Sequence, residues 1–188
     1  MRIKDTEEIV WEKPACIVKG YQHKGVKNFL AGWSLSHMQP YPLYDVKENR
    51  VVFPIFRDRA MVDGAGRSLA GRLPKWRRYG ESGLPYTNGS ASVAVLVEDA
   101  ISAAVIGLNK QCTGIALLGT SLQNTHKKIL SEYSKLIVAL DPDAMPKTLS
   151  IAQELRSIHK QVSVLRLRDD LKYRNPLDMH NLEKLIWN

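Results

Sequence analysis

Short apolar runs alternate with amphipathic stretches between residues 93 and 166. That alternation predicts strands joined by helices around a parallel sheet. Strands are expected at 93–97, 114–118, 136–140 and 162–166. Ala100-Ile101-Ser102-Ala103-Ala104-Val105-Ile106-Gly107-Leu108 has helical apolar spacing and ends near Asn109. A second helix is expected over 126–133. A third, opened by Pro146 near its first turn, runs through Ile151, Leu155 and Ile158. The product is an α/β fold, a βαβαβαβ module at 91–170.

Residues 1–90 follow a different pattern, richer in aromatic residues, Pro and Gly and without a long amphipathic run. Val51-Val52-Phe53-Pro54-Ile55-Phe56 reads as a strand, and Gly64-Ala65-Gly66 suggests a turn into another strand starting at Arg67. A small α+β subdomain of antiparallel hairpins is the expectation. Gly80-Glu81-Ser82-Gly83-Leu84-Pro85-Tyr86-Thr87-Asn88-Gly89-Ser90 is rich in turn residues and should join the halves. The tail, 171–188, carries a short amphipathic helix around 179–186.

Composition narrows the class of partner. The chain has 188 residues, 44% of them hydrophobic, enough for a true core. Its 27 Lys and Arg against 19 Asp and Glu leave a net charge of +8, which favours a polyanion such as nucleic acid over a neutral metabolite. The alternative is a basic soluble protein with no such partner. Cys16 and Cys112 stand far apart, outside any zinc or disulfide spacing. Met1-Arg2-Ile3-Lys4-Asp5-Thr6-Glu7-Glu8 has no apolar signal segment, and no stretch reaches the length of a membrane span. Cytoplasm is the expected compartment, and no membrane partner is expected.

Chemistry concentrates at the strand ends. Glu98 follows the first predicted strand of the module, Gly119 the second, and Asp141 and Asp143 the third. Ligand sites of parallel sheets lie at those carboxyl ends. Carboxylates held about 4 Å apart repel by about 4 kcal/mol per pair at an effective dielectric near 20, so the cluster asks for a cation. An oxygen-only donor set suits Mg²⁺ or Mn²⁺. If the backbone stays extended, Asp141 and Asp143 point to the same side and can grip one ion twice. Asp143 can equally serve as an N-terminal helix cap. Arg67, Arg72, Lys75, Arg77 and Arg78 interleave with Trp76 and Tyr79. Such a segment neutralises phosphates and stacks on bases, unless it is a solvated loop anchored by Trp76. Asp169 and Asp170 follow the last strand, either as an outer acidic pair or as a solvated loop. No histidine shares metal spacing with another, and Thr120 and Ser121 lack the glycines and lysine of a phosphate loop.

The order Glu, Gly, Asp-x-Asp over successive strand ends resembles the Toprim fold of primases, topoisomerases and some nucleases, with Glu98, Gly119, Asp141 and Asp143 at the matching positions. Upstream, Arg50-Val51-Val52-Phe53-Pro54-Ile55, Gly66-Arg67-Ser68-Leu69 and Pro74-Lys75-Trp76 resemble the run that precedes Toprim in bacterial and phage DNA primases. The resemblance covers roughly residues 45–165. It implies primer synthesis: Mg²⁺ or Mn²⁺ held by Glu98, Asp141 and Asp143, NTPs as substrates, a single-stranded DNA template, and Arg67, Lys75, Trp76 and Arg78 as nucleotide or template contacts. Where the family usually has Gly and then Asp after the Glu, this chain has Asp99 and Ser102. Where Ala-Gly follows the Asp-x-Asp, it has Ala144-Met145-Pro146. A Toprim-type nuclease, and a nucleic-acid-binding accessory protein of replication that has lost chemistry, are the alternatives. Neither a zinc-binding module nor a helicase module fits this length, which implies a stand-alone phage-type core. The alternative is a core that borrows a helicase or a separate template-recognition protein.

Overall fold

A computed structural model of the protein describes residues 11–119 and 121–188. The N-terminal octapeptide and Thr120 therefore lie outside the described residues. The chain builds two five-stranded sheets. The first is antiparallel, in the order β1 (Ile17–Lys19), β2 (Leu43–Asp45), β3 (Arg50–Arg57), β4 (Ala60–Ser68) and β5 (Trp76–Arg78), with helix α1 (Lys24–Gly32) between β1 and β2 in the chain.

The glycines expected to make a turn lie inside β4 instead. Gly64 pairs with Pro54 and Gly66 with Val52, and the chain reverses at Asp58 and Arg59, both with positive φ. Close packing explains the glycines: a Cβ on Gly66 would lie 2.6 Å from the Tyr79 ring, and one on Gly64 would lie 2.8 Å from Val52.

The second sheet contains β6 (Tyr86–Asn88), β7 (Val93–Val97), β8 (Thr113–Ala116), β9 (Lys135–Val138) and β10 (Val162–Val164) in the order β10-β9-β7-β8-β6. Strands β7 to β10 run parallel, and β6 pairs antiparallel with β8. The segment expected only to join the halves thus supplies an edge strand. Helices α2 (Ala100–Gly107), α3 (Asn124–Leu130) and α4 (Met145–Arg156) connect the parallel strands, and α5 (Pro176–Trp187) closes the chain.

Side chains alternate across this sheet. Val95, Val97 and Ile137 join a core shared with Val51, Phe53 and α2, while Ala94, Leu96, Leu136 and Val138 pack with Leu130, Ile151 and Leu155 on the other face. Burial on both faces is why these strands read as continuous apolar runs. Helix α2 is buried from Ala100 to Ile106 because it packs against β6, β7, β8 and the turn at Leu171–Tyr173. Phe53 meets Tyr86 edge-on at 5.5 Å, so β3 of the first sheet seals against β6 of the second.

Connections from β7 lead to β8 on one side, and those from β9 lead to β10 on the other. The carboxyl ends of β7 and β9 therefore flank the point where strand order reverses, the place where parallel sheets bind ligands.

Candidate metal centre and nucleic-acid interface

Residues at these strand ends open into a cavity of about 360 Å³. One wall is acidic: Glu98 and Asp99 after β7, Asp141 after β9, and Asp170 after β10. The facing wall is Lys75, Trp76, Arg77 and Arg78 on and beside β5, with Lys172, Leu118 and Gly119 completing the lining. The two sheets thus each contribute one wall.

Three carboxylates converge. Oxygens of Asp99, Asp141 and Asp170 lie within 4.8 Å of one another. Adjacent ligands of an octahedral Mg²⁺ stand about 3 Å apart and opposite ones about 4.2 Å, so the three carboxylates must draw together to close on one small hard cation. All donors are oxygens, as Mg²⁺ and Mn²⁺ prefer.

Each acid has its own fixture. Asp99 Oδ1 accepts from the backbone N–H groups of Ile101 (2.9 Å) and Ser102 (3.0 Å), capping α2. Its Oδ2 accepts from Lys172 Nζ at 2.7 Å, and the same ammonium reaches Asp170 Oδ2 at 2.6 Å. Burial opposes the Lys172 charge, and the two carboxylates outweigh it, holding its pKa above the ordinary lysine value. Asp170 sits on a loop whose backbone is tied to α5: the buried Asp178 carboxylate accepts from the N–H groups of Arg168 and Asp169. Glu98 points into the cavity but is engaged by Lys147 Nζ at 3.2 Å, which also donates to the Gly119 carbonyl. Burial, then the negative charges of Asp170 and Glu98, push the Asp141 carboxyl up to about 6. Divalent charge beside it would reverse that shift.

Asp143 lies elsewhere. The chain does not stay extended after Asp141 but folds into a 3₁₀ turn at Pro142–Ala144, so the period-two argument fails at Pro142. Asp143 is exposed, outside the cavity lining, just ahead of α4, where a carboxylate favours the helix dipole. At the turn after β8 the left-handed residue is Leu118, with φ of 57°, and Gly119 presents its carbonyl to Lys147.

On the basic wall, Arg50 is fully buried and donates to the Pro74 carbonyl at 2.9 Å, fixing the approach to Lys75. Lys75 itself is exposed. Trp76 is half-buried, packs on Phe53, and carries the Arg67 guanidinium 5.5 Å above its ring. Arg67 is not a lining residue of the cavity, although it pairs with Trp76 across the strands and the Asp99 carboxylate acts on its charge. Arg78 is bound inward: Nε donates to the fully buried Asp63 at 2.8 Å, and a terminal nitrogen donates to Ser82 and the Leu84 carbonyl. Arg77 pairs with Glu48 at 3.6 Å and covers Tyr79.

The structure thus brings together Glu98, Asp141, Gly119, Lys75, Trp76 and Arg78 with Arg77 of the basic segment and Asp170 of the outer acidic pair, and adds Asp99 and Lys172. Of the pair Asp169 and Asp170, expected as outer acids or as a solvated loop, Asp170 lies in the lining. Lys172 and Lys147 carry no sequence signal, since a lone lysine after an acidic loop or on a helix is ordinarily solvated. No described helix is long and apolar enough to cross a membrane.

Comparison with known proteins bears on the fold that carries these residues. Residues 96–172 match the family model of Toprim-like domains. A DNA primase of Clostridium acetobutylicum is 30% identical over 146 residues, covering 68% of this chain and 24% of that protein. The chain thus spans about a quarter of the curated relative it matches. Among solved structures, the zinc-binding and RNA polymerase domains of the Aquifex aeolicus primase superpose with a TM-score of 0.59 at 24% identity, over 77% of this chain and 41% of that one. A DnaG primase catalytic domain bound to single-stranded DNA gives 0.58 at 22% identity, over 77% and 53%. The chain carries a Toprim-like module and resembles the primase catalytic core.

Proposed function

We propose that this protein performs divalent-metal-dependent, template-directed nucleotidyl transfer, joining NTPs into short primers on single-stranded DNA. One observation carries the reading: a carboxylate wall and a cation-and-aromatic wall face each other across a single cavity. Nucleotidyl transfer needs both, because the triphosphate and the template are each polyanions while the reacting phosphoryl needs a cation beside it.

Asp99, Asp141 and Asp170 are the residues suited to hold Mg²⁺ or Mn²⁺, with Glu98 beside them. When bound, the ion supplies charge stabilisation on the attacking and leaving oxygens. Lys75 and Arg77 draw phosphates toward the acidic wall, and Trp76 offers a face for a base. Arg78 is held by Asp63 and Ser82 and sets the wall's position while contributing its charge.

The test is incorporation of labelled NTPs on single-stranded DNA with Mg²⁺ or Mn²⁺. Wild type should extend, and Asp141→Asn and Glu98→Gln should each lose at least about 100-fold, equivalent to about 2.7 kcal/mol of barrier. Absence of incorporation across varied templates would remove this reading, and cleavage of labelled DNA without nucleotides would replace it with nuclease chemistry.

A further inference from the structure

Within the metal reading proposed above, the arrangement of charges around the triad sets how many ions the centre takes. Four carboxylates, Glu98, Asp99, Asp141 and Asp170, line the acidic wall. Two ammonium groups already serve them: Lys172 bridges Asp99 and Asp170 at 2.7 and 2.6 Å, and Lys147 pairs with Glu98 at 3.2 Å. The facing arginines do not relieve the remainder, since Arg77 is paired with Glu48 and Arg78 with Asp63. Within the acidic wall two negative charges exceed its two ammonium groups, with only the exposed Lys75 unpaired across the cavity, and Asp141, whose carboxylate accepts no hydrogen bond among the described residues, is the open end of the cluster.

Lys172 is not a passing surface contact. Its side chain is 11% exposed, between partners 13% and 22% exposed. Asp99 is fixed by its cap on α2, and the backbone just before Asp170 is tied to Asp178, so the two carboxylates approach the ammonium from anchored segments. A half-buried cation with two fixed carboxylates at charge-assisted hydrogen-bond distance is a permanent part of its site.

We infer that Lys172 occupies one of the two cation positions of this centre, so that the protein binds a single divalent ion, on the Asp141 side of the triad, where a two-metal arrangement would hold two. The ammonium replaces the charge of a second ion between Asp99 and Asp170 but brings no open coordination positions. Every phosphate oxygen that needs metal coordination must then reach the one ion.

Equilibrium dialysis of the intact protein against Mn²⁺, without nucleotide, reads this directly. Wild type should bind one ion per chain, Lys172→Arg one, and Lys172→Met two, with circular dichroism confirming that each variant is folded. Two ions in wild type would overturn the inference and leave the metal centre standing. One ion in a folded Lys172→Met would also overturn it, because the lysine would not then be holding a position. No ion in wild type would remove the metal reading together with the inference. Should Lys172→Met fail to fold, Lys172→Gln takes its place, and the wild-type count still decides against or for a single ion.

Discussion

Asp99 has divided duties: one oxygen caps α2, and the other receives Lys172. The Toprim pattern places glycine there, so in the sequence Asp99 registers as a departure, although it becomes one of the three converging acids. Asp141 and Asp143 were named together, from the apolar run before them and from the Asp-x-Asp of the Toprim resemblance; Asp141 lines the cavity, and the 3₁₀ turn at Pro142–Ala144 leaves Asp143 outside that lining. Arg78 was legible as a cation but not as one turned inward, since Asp63 is far away in sequence and sits on the preceding strand. His126 carries the clearest titration. Burial, with the Arg78 charge second, lowers its imidazole to about 4, and Nδ1 accepts from the Gln123 N–H at 3.2 Å. The folded value lies below the unfolded value of about 6.5, so as pH falls the unfolded chain takes the proton first. The stabilisation is whole above pH 6.5 and drains away between about 6.5 and 4, with about 2 kcal/mol lost by pH 5. Urea unfolding at pH 7.5 and 5 should show this loss in wild type and not in His126→Gln. Equal losses in both would assign it to other groups.

At the scale of elements, β7, α2, β8, β9, α4 and β10 were all legible, because apolar runs between turn residues have few alternatives in a βα series. β8, β9 and β10 each end two residues earlier than expected, where the chain leaves the sheet to form the site loops, and β8 and β9 begin one residue earlier. β6 was hidden in turn-forming composition, because three residues pairing only with β8 give no periodicity to detect. The glycines of β4 misled for a related reason: small residues mark both turns and close approaches, and only the position of Tyr79 and Val52 distinguishes the two. The tightest of these approaches joins α2 to β8. A Cβ on Gly114 would lie 2.0 Å from the Ala103 carbonyl oxygen, which is backbone and cannot swing aside. Gly114→Ala should therefore cost about 3 kcal/mol or more in denaturant unfolding and loosen the α2 cap beside the acids. A cost below about 1 kcal/mol would mean that α2 shifts freely on the sheet.

For the whole molecule, the resemblance upstream of the module matters as much as the acids, because β5 carries the wall that faces them. The antiparallel sheet is legible only in part: the β3 strand is written in its apolar run, but the pairing that brings β5 across the cavity depends on contacts far apart in sequence. Lys75 is exposed and has no ion-pair partner among the described residues, which suits it to phosphate. Lys75→Ala should weaken binding to single-stranded DNA and reduce the magnitude of the log K against log salt slope by about 0.7, measured by fluorescence anisotropy. An unchanged slope would place the template elsewhere. The acidic wall is tested most directly by crystals soaked with Mn²⁺ and a nucleoside triphosphate, mapped by anomalous scattering. The prediction is manganese among Asp99, Asp141 and Asp170 with the triphosphate lying between that wall and Lys75; manganese bound elsewhere, with the triad still closed on Lys172 alone, would contradict it.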